Sequence, residues 1–134
     1  MSGSTKSPAV RRVQYAALPY RRRAQYRTQV MLITSRETGR WIIPKGWPKK
    51  RQAPHVSAAR EALEEAGVVG EISRDPIGSY SYRKRLRNGA VVACEVQVFS
   101  LEVKRQQKNG QKKGNVTSNG SHRLTRRKWC GNQC

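Results

Sequence analysis

The sequence predicts a mixed α/β domain, and two observations carry that prediction. Between residues 13 and 103, short runs rich in branched and aromatic side chains recur between turn signals. One segment, 54 to 67, departs from this and takes up helical spacing. Several strands around a single strong helix are expected to build a mainly mixed sheet with the helix packed on it. A chain of 134 residues with 36% hydrophobic content has the material for one modest core and not for two.

Residues 1–12 are small, polar and basic and are expected to form a flexible lead-in. "VQYAALPYR" (13–21) and "QVMLITSR" (29–36) then read as two strands separated by the basic "RRRAQYR". "ETG" supplies a turn, and "WIIP" (41–44) a third strand cut off by proline at the start of the basic loop "KGWPKKRQAP". Pro54 suits the first turn of a helix and Gly67 its C-terminal stop. Within those bounds Val56, Ala59, Leu63 and Ala66 follow at steps of three and four, which predicts that they form the apolar face. After the helix, 68–72, 77–86 and 89–103 read as strands, with "RNG" (87–89) as the hairpin signal between the last two.

Past residue 103 neither period continues. The expected organisation is therefore a domain over 13–103 and a basic, irregular tail over 104–134. A shifted reading frame near residue 109 is one origin for so abrupt a change in composition, and translating the gene in its other frames decides it.

The formal net charge is +20. The tail contributes nine basic residues and no acidic one, leaving 19 basic against 8 acidic, or +11, on residues 1–103. Such a balance favours polyanionic partners, either nucleic acid or a phosphate-rich small molecule. No stretch approaches the roughly 18 to 20 apolar residues of a membrane span, so no membrane partner is expected. The start lacks the apolar run of a secretory signal, and the expected location is the cytoplasm. Cys94, Cys130 and Cys134 do not form the even, spaced set of a disulfide scaffold.

Against this basic background, "REALEEAG" (60–67) holds three of the chain's eight acidic residues. Glu61, Glu64 and Glu65 fall within about a 100° arc of a helix, where like charges repel and where the C-terminal half of the helix disfavours anions. One explanation is a solvated helix in which Arg60 pairs with Glu64 at i+4. The other is a hard divalent cation, which turns the cluster from a cost into a binding site.

"GWPKKRQAPHVSAAREALEEAGV" resembles the signature of the Nudix hydrolase family, G-x5-E-x7-R-E-U-x-E-E-x-G-U with U aliphatic. Gly46 takes the first glycine, and Arg60, Glu61, Ala62, Glu64, Glu65, Gly67 and Val68 take the second half. Gln52 stands where the first glutamate belongs. "RWIIPKGWP" is similar to the branch of the family that contains diphosphoinositol polyphosphate and diadenosine polyphosphate hydrolases.

The resemblance implies an α/β/α sandwich with a mixed β-sheet and a loop-helix-loop catalytic motif. It also implies hydrolysis of a diphosphate linkage with Mg²⁺ or Mn²⁺, in a nucleoside diphosphate-X or a diphosphoinositol or diadenosine polyphosphate type of substrate. Glu61 and Glu65 would then ligate the metal, with the Gly46 carbonyl as a further ligand. Glu64 would accept the proton from water, with Glu95 as a spare candidate, and Arg60 would orient the glutamates. Lys45, Arg11 and Arg12 would meet the substrate's phosphates. Because an amide cannot supply charge, Gln52 is expected to weaken metal binding or loosen the loop. Tyr80 and Tyr82 could stack on a base, or pack as strand tyrosines usually do. The alternative function is a nucleic-acid-binding domain or a catalytically weakened Nudix-like binding domain, although no aromatic-basic RNA motif is present.

Overall fold

A computed structural model describes residues 11–24, 27–36, 38–108 and 126–131. They form eight strands: β1 (Arg11–Arg23), β2 (Arg27–Thr34), β3 (Trp41–Ile42), β4 (Lys45–Gly46), β5 (Val68–Ile72), β6 (Gly78–Arg85), β7 (Val91–Gln106) and β8 (Arg127–Cys130). One helix, α1 (Pro54–Glu61), runs on into a π-wound turn over Ala62–Ala66. The main path of the sheet is β3-β2-β1-β7-β5, with β4 on β1, β6 on β7 and β8 on β2. The pair β1 and β7 is parallel, and the other pairings are antiparallel. This is the mixed sheet that the sequence predicts.

The length of β1 organises the fold. Its C-terminal end, from Tyr20 to Arg23, pairs with β2, whereas Tyr15 and Ala16 in its middle pair with Gly46 and Lys45 of β4. Along the opposite edge β1 runs beside β7 from Arg11 opposite Ala93 to Tyr20 opposite Glu102. Facing residues share a side of the sheet. Tyr15, Ala17, Phe99 and Leu101 therefore look one way, while Arg12, Gln14, Cys94 and Val96 look the other.

The first of these faces holds the main core. Ala17, Met31, Ile33, Phe99 and Leu101 pack there with Ala58, Ala62 and Ala66 of the helical segment and with Val68. That packing corrects the expected apolar face of the helix. Val56 and Leu63 are 41% and 39% exposed, whereas Ser57, Ala58, Glu61, Ala62 and Ala66 are buried. The physical reason is size. An alanine stripe at steps of four lets the helix backbone approach the sheet closely, and the face bearing Ser57 and Glu61 goes in with it. The π-wound turn ends as expected at Gly67, whose φ of 69° is left-handed and whose N–H donates to the Leu63 carbonyl at 3.0 Å.

The basic segment from residue 104 also departs from the irregular structure expected of it. β7 continues to Gln106, and Arg127–Cys130 forms a strand along β2, with Trp129 opposite Met31 and packed against the core. Four residues are too few to show a period, and the basic side chains of this strand hide its apolar contacts. The Arg21 guanidinium lies 3.9 Å from the centre of the Trp129 ring, and the Lys128 ammonium 4.3 Å from that of Trp41. The remainder of the expected lead-in (1–10) and of the tail (109–125 and 132–134), including the point of the suspected frame shift, lies outside the described residues. Among the described residues no helix is long and apolar enough to cross a membrane.

Candidate active site

β4 is only two residues long, yet it holds the glutamate pair in place. Pro44 is buried, and its carbonyl accepts a hydrogen bond from the Ala17 N–H at 3.0 Å, which pins the chain entering β4 against β1. Gly46 then faces the helix so closely that a Cβ there would fall inside the Glu61 carboxylate. Any side chain at 46 would displace the Glu61 carboxylate from where it lies. Glu61 is 7% exposed, and its carboxyl neighbours that of Glu65. The Lys45 backbone N–H donates to Glu65 Oε1 at 3.2 Å.

Two neighbouring carboxyl groups shielded from water cannot both be ionised cheaply. Burial, then the neighbouring Glu61 charge, pushes the Glu65 carboxyl up from 4.5 to about 7, against the opposing pull of the Lys45 N–H and ammonium. A cation between the two groups would relieve this conflict. Two carboxylates side by side are an oxygen donor set of the kind that hard divalent cations take. Among the described residues no three His, Cys, Asp or Glu side chains gather into a metal-holding group. A cation at the carboxylate pair would have further positions left for water or substrate oxygens.

Arg60 Nη1 approaches Glu64 Oε2 at 3.7 Å. That i,i+4 contact is the one expected of a solvated helix. Gln52, at the missing glutamate, accepts a hydrogen bond from the buried Ser57 hydroxyl at 3.0 Å. Its loop turns through Arg51 at a φ of 63°, and the Gln52 N–H donates to the Lys49 carbonyl at 3.2 Å.

Among the basic residues, Lys45 reaches from β4 to the far face of the sheet, with its ammonium 5.2 Å from the centre of the Tyr82 ring. Arg12 lies on that same face, 5.9 Å from the Trp47 ring centre. Arg11 opens β1 opposite Ala93. Glu95, opposite Val13 and Ser81, looks toward the helix side of the sheet.

A family model described as NUDIX domain matches residues 10–130. The chain belongs to the Nudix family. The matched span includes β8, which the expected domain limit of residue 103 leaves out. This Nudix chain is 35% identical over 83 residues to "Nudix hydrolase 13, mitochondrial" of Arabidopsis thaliana, covering 57% of this chain and 40% of that protein. It is 40% identical over 53 residues to "Diphosphoinositol polyphosphate phosphohydrolase 3-alpha" of Mus musculus, covering 39% of this chain and 32% of that one. The chain thus spans less than half the length of these curated relatives. A solved C. elegans Ap4A hydrolase superposes with a TM-score of 0.55 at 18% identity, over 91% of this chain and 81% of that one. That likeness confirms the Nudix fold, the α/β/α sandwich class expected from the motif.

Three residues of this Nudix chain with well-defined partners escaped sequence reasoning. Gln14 is buried although it sits in an alternating strand, where a polar residue reads as facing solvent. Ser57 takes an interior helix position usually given to an apolar residue. Arg127 donates to the Ala66 carbonyl at 2.8 Å, to the Lys108 carbonyl at 2.9 Å and to that of Gln107, tying β8 to the end of the glutamate-bearing helix. A lone arginine in a basic tail carries no signal for that role.

Proposed function

We propose that the chain hydrolyses a diphosphate (pyrophosphate) linkage in a nucleoside diphosphate-X or a diphosphoinositol or diadenosine polyphosphate type of substrate, using Mg²⁺ or Mn²⁺. The observation that carries this reading is the buried Glu61 closed against Gly46 beside Glu65. Glu61, Glu65 and the Gly46 carbonyl would hold the cation. When bound, it neutralises charge on the diphosphate and makes water more acidic.

The residues of the chain do the rest. Glu64 accepts the proton of the attacking water as its oxygen bonds to phosphorus, and the bridging P–O bond breaks with its electron pair leaving on the departing phosphate. Arg60 limits the swing of Glu64 through their 3.7 Å contact. The Lys45 N–H fixes the Glu65 carboxylate, and the Lys45, Arg12 and Arg11 side chains supply positive charge for phosphate oxygens.

Purified protein with Mg²⁺, assayed separately on diadenosine tetraphosphate and on a diphosphoinositol polyphosphate, tests this reading. Turnover that Glu64→Gln abolishes supports it. The formal charge of +20 favours a second reading, nucleic-acid binding by a catalytically weakened domain. Salt-sensitive RNA binding without turnover of either substrate would select that one.

A further inference from the structure

The ribbon formed by the end of β1 and the start of β2 gathers four arginines that neither the core nor the carboxylate pair uses. Arg21 pairs with Gln29, Arg22 with Thr28 and Arg23 with Arg27. β7 accompanies β1 only as far as Tyr20, and β8 meets β2 only from Val30. Among the described residues these pairs therefore have no strand on either outer edge, and they stand at the margin of the sheet. Alternation places Arg21, Arg23 and Arg27 on the face that carries the helix, and Arg22 on the other.

This arrangement is costly. Like charges directly opposite one another destabilise a sheet, and Arg23 opposite Arg27 is such a pair. Burial, then the charge of Arg23, holds the Arg21 guanidinium below its ordinary pKa. Among the described residues no carboxylate lies within ion-pair reach of any of the four. Arg22, Arg23 and Arg27 are exposed, whereas Arg21 is half-buried and fixed. Its Nε donates to the Gln29 side chain at 2.9 Å and its guanidinium covers the Trp129 ring at 3.9 Å, which leaves the terminal N–H groups for a ligand.

We infer that Arg21, Arg22, Arg23 and Arg27 form a docking ribbon for duplex DNA, seated in the major groove. Charge on both faces of the ribbon suits the phosphates of both groove walls, and a groove about 12 Å wide admits a two-stranded ribbon. Guanidinium groups also meet phosphate with two parallel hydrogen bonds, which lysine cannot do. A single strand would call for rings on which bases stack, and the Trp129 ring is covered by Arg21. A lipid surface would call for apolar side chains among the cations. None of the exposed large apolar residues, Trp47, Val56, Leu63, Ile77, Tyr80 and Val91, lies on the ribbon.

The ribbon is remote from the carboxylate pair. From Ala16, beside β4, to Arg23 the strand β1 rises about 23 Å. DNA binding therefore does not rest on the proposed hydrolysis.

Fluorescence anisotropy of a labelled duplex of about 20 base pairs tests the ribbon, with each separated strand titrated beside it. Sedimentation with vesicles of phosphatidylserine and phosphatidylcholine tests the lipid alternative. The full chain is expected to bind the duplex more tightly than either strand, with affinity falling as salt rises. Combining Arg22→Gln, Arg23→Gln and Arg27→Gln is expected to cost at least about tenfold in duplex affinity at about 0.1 M salt, and to make the logarithmic salt slope shallower by up to about 3. Combining Arg83→Gln, Arg85→Gln and Arg87→Gln removes the same charge from exposed positions of β6 and the turn after it, and should leave most of the binding. Equal loss in the two variants assigns the binding to net charge and overturns the inference. So does a strand that binds as tightly as the duplex, an absence of duplex binding, or capture by vesicles without DNA binding.

Thermal unfolding of the ribbon variant should match or exceed the parent's, because the repulsion between Arg23 and Arg27 is gone, and this separates lost binding from misfolding. Turnover of diadenosine tetraphosphate should be the same in both. Absence of turnover from the parent removes the proposed hydrolysis, while the anisotropy still decides the ribbon.

Discussion

The Ser57 hydroxyl donates a 3.0 Å hydrogen bond to the Gln52 side chain, joining the loop after β4 to the buried side of α1 at the position where the family signature has an acid. That bond ties the loop to the helix through two neutral groups, and Arg60 approaches Glu64 one turn along the helix. Gln52→Ala is expected to cost about 1–3 kcal/mol, because it strips a buried hydroxyl of its partner. Gln52→Glu keeps an acceptor for Ser57 and adds a carboxylate to the metal loop, so Mn²⁺ affinity should rise. Denaturant unfolding and Mn²⁺ titration check the two outcomes, and unaltered Mn²⁺ affinity in Gln52→Glu would place residue 52 away from the cation.

Gly46→Ala should damage the site more than its small size suggests. The new methyl overlaps the Glu61 carboxylate, which sits in a packed interior and must move. Overpacking of this kind costs about 1–3 kcal/mol, and displacement of a ligand by roughly an ångström lowers activity on the order of a hundredfold. Unfolding curves and kcat/KM with Mg²⁺ measure both. A variant with the parent's activity would show that Glu61 is not needed where it lies.

Stability of the metal-free protein should depend on pH through Glu65. Its folded-state value of about 7 lies above the ordinary 4.5, so the folded protein binds the proton more tightly than the unfolded chain does. The contribution is complete below about pH 4.5 and is lost as pH rises through about 7, a change of at most about 3 kcal/mol. On the proposed reading Mg²⁺ would bind the ionised pair, so its stabilising effect should grow over the same interval. Thermal unfolding between pH 5 and 8, with and without Mg²⁺, follows this. Glu65→Gln should flatten the metal-free profile, and a profile unchanged by that substitution would assign the slope to other groups.

Arg127→Ala should release the end of the helical segment from β8. The guanidinium binds three carbonyls, one of them the Ala66 carbonyl in the last turn of the helix, where a cation also favours the helix dipole. A loss of about 1–3 kcal/mol is expected. Hydrogen exchange at Gly67 and Gln107 should quicken, since their amides lie at the junction that Arg127 holds. Unchanged exchange would make the contact incidental.

Much of the architecture was legible in short-range pattern. Apart from β4, whose Lys45 and Gly46 read as part of a basic loop, the strands from 13 to 103, the helix from Pro54 to Gly67 and the hairpin at "RNG" follow from local period and turn chemistry. β8 was not legible, since four residues between basic neighbours show no period, and its strand character comes from pairing with β2 and from Trp129 against the core.

By itself the sequence determined the mixed α/β class, the family signature and the gathering of three glutamates on one helix. Tertiary structure alone decided which of them meet. Helical spacing places Glu61, Glu64 and Glu65 near one another but is blind to what lies opposite. The alanine stripe that lets α1 close on the sheet and the missing side chain at Gly46 bury Glu61, while Glu64 lies 3.7 Å from Arg60. The pairing of Gln52 with Ser57 was decided in the same way. Loop and helix interact there only after the sheet has brought them together, and no local pattern records that contact.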